Sequence, residues 1–254
     1  MLEIRNLYAG YPGKKVLKGI CADIPAKKIT VVCGPNGCGK STLLKTVCGI
    51  LSPETGEIRL DDQSLLTLPG NLLAQRIAYL AQSRQIPEIT VERLVLQGRF
   101  PYLHYPRRYR REDYAAAQGA LERMDIADLA QTPMSELSGG QRQKAYIAMA
   151  LAQNAQVLLL DEPTTYLDVS HQLQLMQLAR ALADMGKTVV MVVHDLSLAL
   201  QHGDQLLLLS EGQVAARGTP EEVFASGCID EVFGVKLRRV HTETGWQYYC
   251  TSAE

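Results

Sequence analysis

The sequence predicts an α/β fold with a mainly parallel sheet, an antiparallel β subdomain and an inserted helical subdomain. Short apolar runs such as 157–160 and 189–193 have the length of buried strands, and helical patterns separate them. This alternation is typical of a parallel sheet covered by helices. Strand-like segments near the start of the chain predict the antiparallel part. A mostly helical stretch in the middle predicts the insertion.

Composition and charge favour a globular protein without nucleic acid as a partner. The 254 residues are 46% hydrophobic and 21% charged, and the formal net charge is -1. No apolar run reaches the roughly 20 residues of a bilayer-spanning helix. Glu3 and Arg5 interrupt the first residues, so we expect no secretory signal there. The six cysteines form no CxxC pair, so we expect reduced thiols and no structural metal site.

The first part of the chain predicts two antiparallel strands and the beginning of the parallel sheet. Segments 2–6 and 57–60 have strand composition. A strand at 28–33 leads into a glycine-rich turn, and a helix is expected over about 40–49. Further strands are expected at 157–161, 188–193 and 205–209.

We expect a single domain over 1–254 that contains one helical insertion. Residues 1–83 and 151–254 form the predicted catalytic core with a C-terminal tail, and 84–150 form the helical subdomain. Ala- and Leu-rich segments such as 114–124 indicate helices in this region, and prolines interrupt them. After about residue 218 we expect a short helix, another near 229–233 and a final pair of strands ending at Tyr249.

The glycine-rich turn carries a phosphate-binding motif. Residues 34–41 read GPNGCGKS, which matches GxxxxGK[ST] and lies between a predicted strand and a predicted helix. This pattern is typical of a P-loop NTPase with a RecA-like core, so a nucleoside triphosphate and Mg²⁺ are the expected ligands. Lys40 is expected to reach the β- and γ-phosphates, and the Ser41 hydroxyl to bind Mg²⁺. The predicted phosphate-binding residues are Gly34, Pro35, Asn36, Gly37, Cys38, Gly39, Lys40, Ser41 and Thr42.

Two acidic residues follow the apolar run at 157–160. A buried strand that ends at Asp161 would bring this carboxylate to the metal beside the phosphate loop. Glu162 is expected to orient or deprotonate the attacking water. Cys38 lies inside the phosphate loop and is a candidate reactive thiol.

The segment 137–141, LSGGQ, is the most specific feature, and we call it the signature segment. Ser138 is a good helix N-cap, and Gly139 and Gly140 allow an anion to approach the helix terminus. The segment resembles the signature of ABC transporter ATP-binding subunits, and the order of motifs along essentially the whole chain resembles theirs. A phosphate loop or an acidic strand end taken alone would fit many other NTPases.

The resemblance implies roles for further residues. Tyr11 matches the aromatic residue that stacks on adenine, and Gln82 matches the glutamine that touches Mg²⁺ and water and relays to the membrane partner. Asp168 matches the loop that contacts the opposite subunit, and His194 matches the histidine that binds the γ-phosphate. The signature residues implied to bind the nucleotide of a second chain are Ser138, Gly139, Gly140 and Gln141.

The resemblance also implies partners and a location. Hydrolysis would require a head-to-tail pair of cassettes, taken as identical chains, attached to integral-membrane permease subunits and served by an extracytoplasmic substrate-binding protein. The subunit would be cytoplasmic and peripheral on the inner face of the membrane. Tyr166 and Cys38 depart from the usual family residues, and the bulk of Tyr166 bears on the contact between subunits.

The segments 98–102 and 162–172 resemble the importer branch for iron-siderophores, haem and cobalamin. An importer of another small solute or metal is the alternative. A soluble ABC protein of DNA repair or translation usually has paired cassettes, coiled coils or zinc hooks, which the sequence lacks. A GTP-binding switch would need an NKxD-type motif, and none is present. A purely structural module would not need Glu162, Gln82 and His194 together.

Overall fold

The computed structural model describes residues 1–81, 86–163, 168–243 and 245–252. The strands are β1 (Leu2–Tyr11), β2 (Lys14–Ile24), β3 (Ile29–Cys33), β4 (Thr55–Leu60), β5 (Gln63–Ser64), β6 (Ile77–Leu80), β7 (Val157–Leu160), β8 (Thr188–Val192), β9 (Gln205–Ser210), β10 (Gln213–Gly218), β11 (Val235–Thr242) and β12 (Gly245–Ser252). The helices are α1 (Lys40–Val47), α2 (Gly70–Arg76), α3 (Val91–Gln97), α4 (Arg111–Arg123), α5 (Gly139–Ala152), α6 (Val169–Asp184), α7 (Leu196–His202), α8 (Pro220–Ala225) and α9 (Cys228–Phe233).

The central sheet has six strands in the order β10-β9-β3-β8-β7-β6. The strands from β9 to β6 are parallel, and β10 pairs antiparallel with β9 at the edge. Strands β3, β7 and β8 are buried at every position, because helices and the second sheet cover both faces. The predicted α/β fold with a mainly parallel sheet is confirmed.

A second, antiparallel sheet has the order β2-β1-β4-β5. Its strands β1 and β4 agree with the expected strands at the start of the chain, whereas β2 was not predicted. Leu7 pairs with Ile20 but Tyr8 pairs with Lys18, so Gly19 is the extra residue of a β-bulge. The bulge interrupts the alternation of buried side chains along β2, and this alternation is the sequence signal by which a strand is recognised.

The middle of the chain is helical, as predicted, and α3, α4 and α5 contact one another. A largely buried ion pair joins these helices. Arg99 Nε donates to Asp113 Oδ1 in α4 at 3.0 Å, and Arg99 Nη1 donates to the carbonyl of Ala152 in α5 at 3.0 Å. Buried side chains of these helices share one hydrophobic cluster with one face of the central sheet. The division into a core and a helical subdomain over 84–150 stays a prediction.

The predicted C-terminal tail is present as two short helices and a hairpin. Strands β11 and β12 pair along their full length and contact α7, where Ser197 Oγ donates to the Tyr248 carbonyl at 2.6 Å. The hairpin is therefore joined to the helix that follows His194. Among the helices that the structure describes, none has the length and apolar composition needed to cross a bilayer.

Candidate functional site

The phosphate loop joins β3 to α1 and has the backbone that its glycines allow. Gly34, Gly37 and Gly39 have φ angles of 147°, 78° and 112°, which L side chains rarely adopt. Gly34 also has no room for a side chain, since a β-carbon there would lie 2.2 Å from the Leu209 carbonyl oxygen. The loop thus passes close to β9 and ends at the N-terminus of α1, where backbone N–H groups favour an anion.

Lys40 is the buried cation of this loop. Its side chain crosses the loop, and Nζ donates to the carbonyl oxygens of Gly34 at 2.7 Å and Pro35 at 2.9 Å. Lys40 is only 5% exposed, so its charge is held at the loop rather than in solvent. A flexible ammonium group in this position is suited to phosphate oxygens.

Asp161 follows β7 and lies beside the phosphate loop. Ser41 Oγ donates to its Oδ1 at 2.9 Å, so these two of the predicted metal ligands are adjacent. Asp161 is 2% exposed, which allows few orientations of its carboxylate. A hydroxyl oxygen next to a carboxylate is the type of ligand set that Mg²⁺ prefers. These residues therefore fit the predicted magnesium site.

Tyr79 is a site residue that sequence reasoning missed. Its hydroxyl donates to Asp161 Oδ2 at 2.9 Å, so both carboxylate oxygens have a donor. Burial and the nearby Asp161 carboxylate raise the pKa of Tyr79, which keeps its hydroxyl protonated near neutral pH. Strand pairing places Tyr79 opposite Leu159, two residues before Asp161, and therefore on the same face of the sheet.

Glu162 and His194 meet at the ends of neighbouring strands. His194 Nε2 lies 2.8 Å from Glu162 Oε1, and because a carboxylate only accepts, Nε2 carries the hydrogen in this contact. The Glu162 side chain is 11% exposed. Its φ of 50° is uncommon for a residue with a side chain, and such backbone outliers cluster at functional sites.

One cavity of about 220 Å³ unites several predicted residues of the site. Tyr11 and Glu162 line it together with Asn36, Gly37, Gly39, Lys40, Ser41 and Thr42. Tyr11 is 45% exposed at the end of β1, so its ring is available to a planar ligand. The cavity combines an aromatic ring, a phosphate loop and a carboxylate, which is an arrangement suited to a nucleotide.

The signature segment does not join this cavity. Ser138 caps α5 through a capping box, in which its Oγ accepts from Gln141 N at 3.3 Å and its own N donates to Gln141 Oε1 at 2.9 Å. Ser138, Gly140 and Gln141 instead line a separate cavity of about 480 Å³. One chain therefore presents the phosphate loop and the signature segment at different places.

Asp168 caps α6, and its carboxylate accepts from the backbone N and the ring of His171. Both hydrogen bonds lower the pKa of Asp168, and the one from the backbone N of His171 has the larger effect. Gln82 lies outside the described residues, as does Tyr166.

Cys38 does not have the environment expected of a reactive thiol. It is 5% exposed, and burial raises its pKa although Lys40 opposes the shift. A raised pKa leaves less of the nucleophilic thiolate at neutral pH. Burial therefore disfavours a reactive Cys38, because loss of solvent outweighs the nearby positive charge.

Comparison with known proteins identifies the family of the chain. The family model described as ABC transporter matches residues 17–165. The chain is 40% identical over 239 residues to the petrobactin import ATP-binding protein FpuD of Bacillus anthracis, covering 93% of this chain and 88% of the relative. It is also 40% identical over 237 residues to the ferric enterobactin transport ATP-binding protein FepC of Escherichia coli strain K12, covering 92% and 88%.

A solved structure shows the same architecture. The dimeric, post-hydrolysis ATP-binding cassette MJ0796, bound to ADP and Pi, is 29% identical and superposes with a TM-score of 0.73. The superposition covers 87% of this chain and 99% of the cassette. The resemblance drawn from the motifs is thus confirmed, and the chain belongs to the ABC transporter family.

Proposed function

We propose that this chain is the ATP-hydrolysing subunit of an importer and drives uptake through a separate membrane permease. The observation that carries the proposal is one cavity where the phosphate loop, Tyr11 and Glu162 meet. Ser41 and Asp161 contact each other at its edge, and His194 contacts Glu162. A module that binds ATP without hydrolysing it would not require the contact between His194 and Glu162.

Each side chain has a distinct role in the proposed reaction. Tyr11 stacks on the adenine, and Lys40 turns from the loop carbonyls to the β- and γ-phosphates. Ser41 and Asp161 would hold Mg²⁺, with Gln82 as the further ligand that the resemblance implies, and this ion would neutralise the charge of the phosphate oxygens. Glu162 orients the attacking water and accepts its proton, while His194 holds Glu162 and contacts the γ-phosphate.

We further propose that two chains associate head to tail. The separation of the signature segment from the phosphate loop within one chain supports this, because each site would then take its signature segment from the partner. The dimeric form of the related cassette MJ0796 also supports it. ATP would close the pair and hydrolysis would reopen it, which gives a two-state switch controlled by contacts to the γ-phosphate.

The proposed cargo is an iron-siderophore complex. The names of the relatives from Bacillus anthracis and Escherichia coli, which refer to petrobactin import and ferric enterobactin transport, support this choice. By the same analogy, the subunit would lie on the cytoplasmic face of the membrane, attached to permease subunits and served by an extracytoplasmic binding protein. The described side chains of this site are assigned to ATP and Mg²⁺, so contact with the cargo would fall to those partners.

The test is ATP turnover by the purified chain and by Glu162→Gln with Mg²⁺ present. We expect the wild type to hydrolyse ATP and the variant to lose at least about 100-fold, because removing a general base costs 10²–10⁴-fold in rate. Binding of a fluorescent ATP analogue should survive in the variant, since the phosphate loop is intact. Equal turnover by both proteins would overturn the proposed role of Glu162.

A further inference from the structure

We infer that His171 is a positioning residue that holds the backbone of the signature segment at Gly140 and links it to Asp168. The inference rests on the proposed function, because the signature segment would act on the ATP held by the partner chain. His171 lies in the first turn of α6, whereas Gly140 lies in the first turn of α5. Its ring therefore joins two elements that are far apart along the chain.

The ring of His171 is fixed on one edge. Its Nδ1 lies 2.7 Å from Asp168 Oδ1 and, because a carboxylate accepts, Nδ1 donates there. The backbone N of His171 donates to the same oxygen at 2.9 Å. With its backbone and ring bound to one carboxylate, the side chain cannot rotate freely without losing a hydrogen bond.

The opposite edge of the ring lies against Gly140. A β-carbon built on Gly140 would be 2.6 Å from both Nε2 and Cδ2 of His171, which is closer than real β-carbons come to other atoms. A β-carbon on the neighbouring Gly139 would meet nothing within 4 Å. Neither glycine has a positive φ, so backbone conformation does not require glycine at either position. The ring of His171 is therefore the group that a side chain at position 140 would meet.

This contact is not ordinary core packing. The side chain of His171 is 41% exposed, and it lines the cavity of about 480 Å³ with Ser138, Gly140 and Gln141. Removing the ring therefore leaves the hydrophobic core untouched. The removal takes away the contact that fixes where the N-terminus of α5 lies relative to α6.

The contact would connect two surfaces of the proposed head-to-tail pair. Asp168 is proposed to meet the opposite chain. Gly140 is proposed to meet the γ-phosphate that the opposite chain binds. A movement of Asp168 on pairing would shift the ring of His171 and thereby the backbone at Gly140. Pairing would align the signature segment through this path, and the coupling would act on turnover rather than on ATP binding by a single chain.

A double-mutant cycle on thermal unfolding without nucleotide tests the contact. We expect Gly140→Ala to lower the Tm of the wild type, because the new methyl group displaces the ring. In the His171→Ala background the same change should raise the Tm or leave it unaltered, because Ala favours helix over Gly. Gly139→Ala is the matched control and should not lower the Tm in either background. Equal losses from Gly140→Ala in both backgrounds would overturn the contact.

Kinetics of His171→Ala test the positioning role. We expect kcat to fall about tenfold with little change in KM, in the range of measured coupling along such contacts. Binding of a fluorescent ATP analogue to dilute single chains should stay within about twofold of the wild type, because the phosphate loop is intact. An unchanged kcat would contradict the inference. So would a loss of ATP-analogue binding by single chains as large as the loss in kcat. A wild type without turnover would instead contradict the proposed function, and the unfolding cycle would still decide whether the contact exists.

Discussion

The carboxylate of Asp161 receives a hydrogen bond at each oxygen, from Ser41 on one side and Tyr79 on the other. The Ser41 contact could be expected from the sequence, because the phosphate loop and the acidic strand end meet at one edge of a parallel sheet. The Tyr79 contact could not, since it depends on which strand lies beside β7. The signal was a tyrosine at the penultimate position of an otherwise apolar strand, where its hydroxyl needed a partner.

Tyr79→Phe tests the positioning of Asp161 at this scale. The substitution removes one hydroxyl group and leaves Asp161 Oδ2 without that donor. Loss of such an outer partner typically weakens metal binding by 10–100-fold, so we expect the Mg²⁺ concentration for half-maximal ATP turnover to rise by about tenfold.

Tyr105→Phe is the control, because Tyr105 is 98% exposed. This substitution should leave the Mg²⁺ concentration for half-maximal turnover unchanged. The Tm of Tyr79→Phe, measured without nucleotide, separates loss of metal from loss of fold. An unaltered Mg²⁺ dependence in a folded variant would show that Tyr79 does not position Asp161.

At the scale of elements, strands and helices with regular patterns were predictable and irregular ones were not. Strands β3, β7 and β8 are buried and almost entirely apolar, so their sequence alone identified them. Strand β2 was missed because Gly19 shifts its alternation, and only the pairing with β1 shows the bulge. The contact between α5 and α6 through His171 was missed for a related reason, since sequence patterns do not show which helix termini meet.

The helical group depends on one buried charge. Asp113 is 2% exposed and accepts from Arg99 Nε at 3.0 Å and from the backbone N of Arg110 at 2.9 Å. Asp113→Ala would leave the largely buried guanidinium of Arg99 without its carboxylate partner, so we expect a loss of about 3 kcal/mol in the free energy of unfolding.

Urea unfolding measures this loss, and Glu112→Ala is the matched control on the same helix. The Glu112 side chain is 71% exposed, so its loss should stay within about 0.5 kcal/mol. If Asp113→Ala proved no more destabilising than the control, the ion pair would not hold the helical group together.

At the scale of the whole molecule, the order of motifs predicted the family, and the fold and the comparisons confirmed it. Within one chain, Tyr11, the phosphate loop and Glu162 share a cavity, and the signature segment lies elsewhere. With the roles proposed above, a second chain would be needed to bring a signature segment to the ATP in this cavity. This requirement follows from the structure of the single chain together with the roles proposed for its residues.

The most direct test is the mass of Glu162→Gln in solution, measured by size-exclusion chromatography with light scattering, with and without ATP and Mg²⁺. We predict one chain without ATP and two chains with it, because the variant binds ATP but does not cleave it. Adding Ser138→Arg should abolish the ATP-dependent pair, since the signature segment would then clash with the partner's nucleotide. A Glu162→Gln protein that stays monomeric at saturating ATP, or pairs regardless of Ser138→Arg, would contradict the head-to-tail pair.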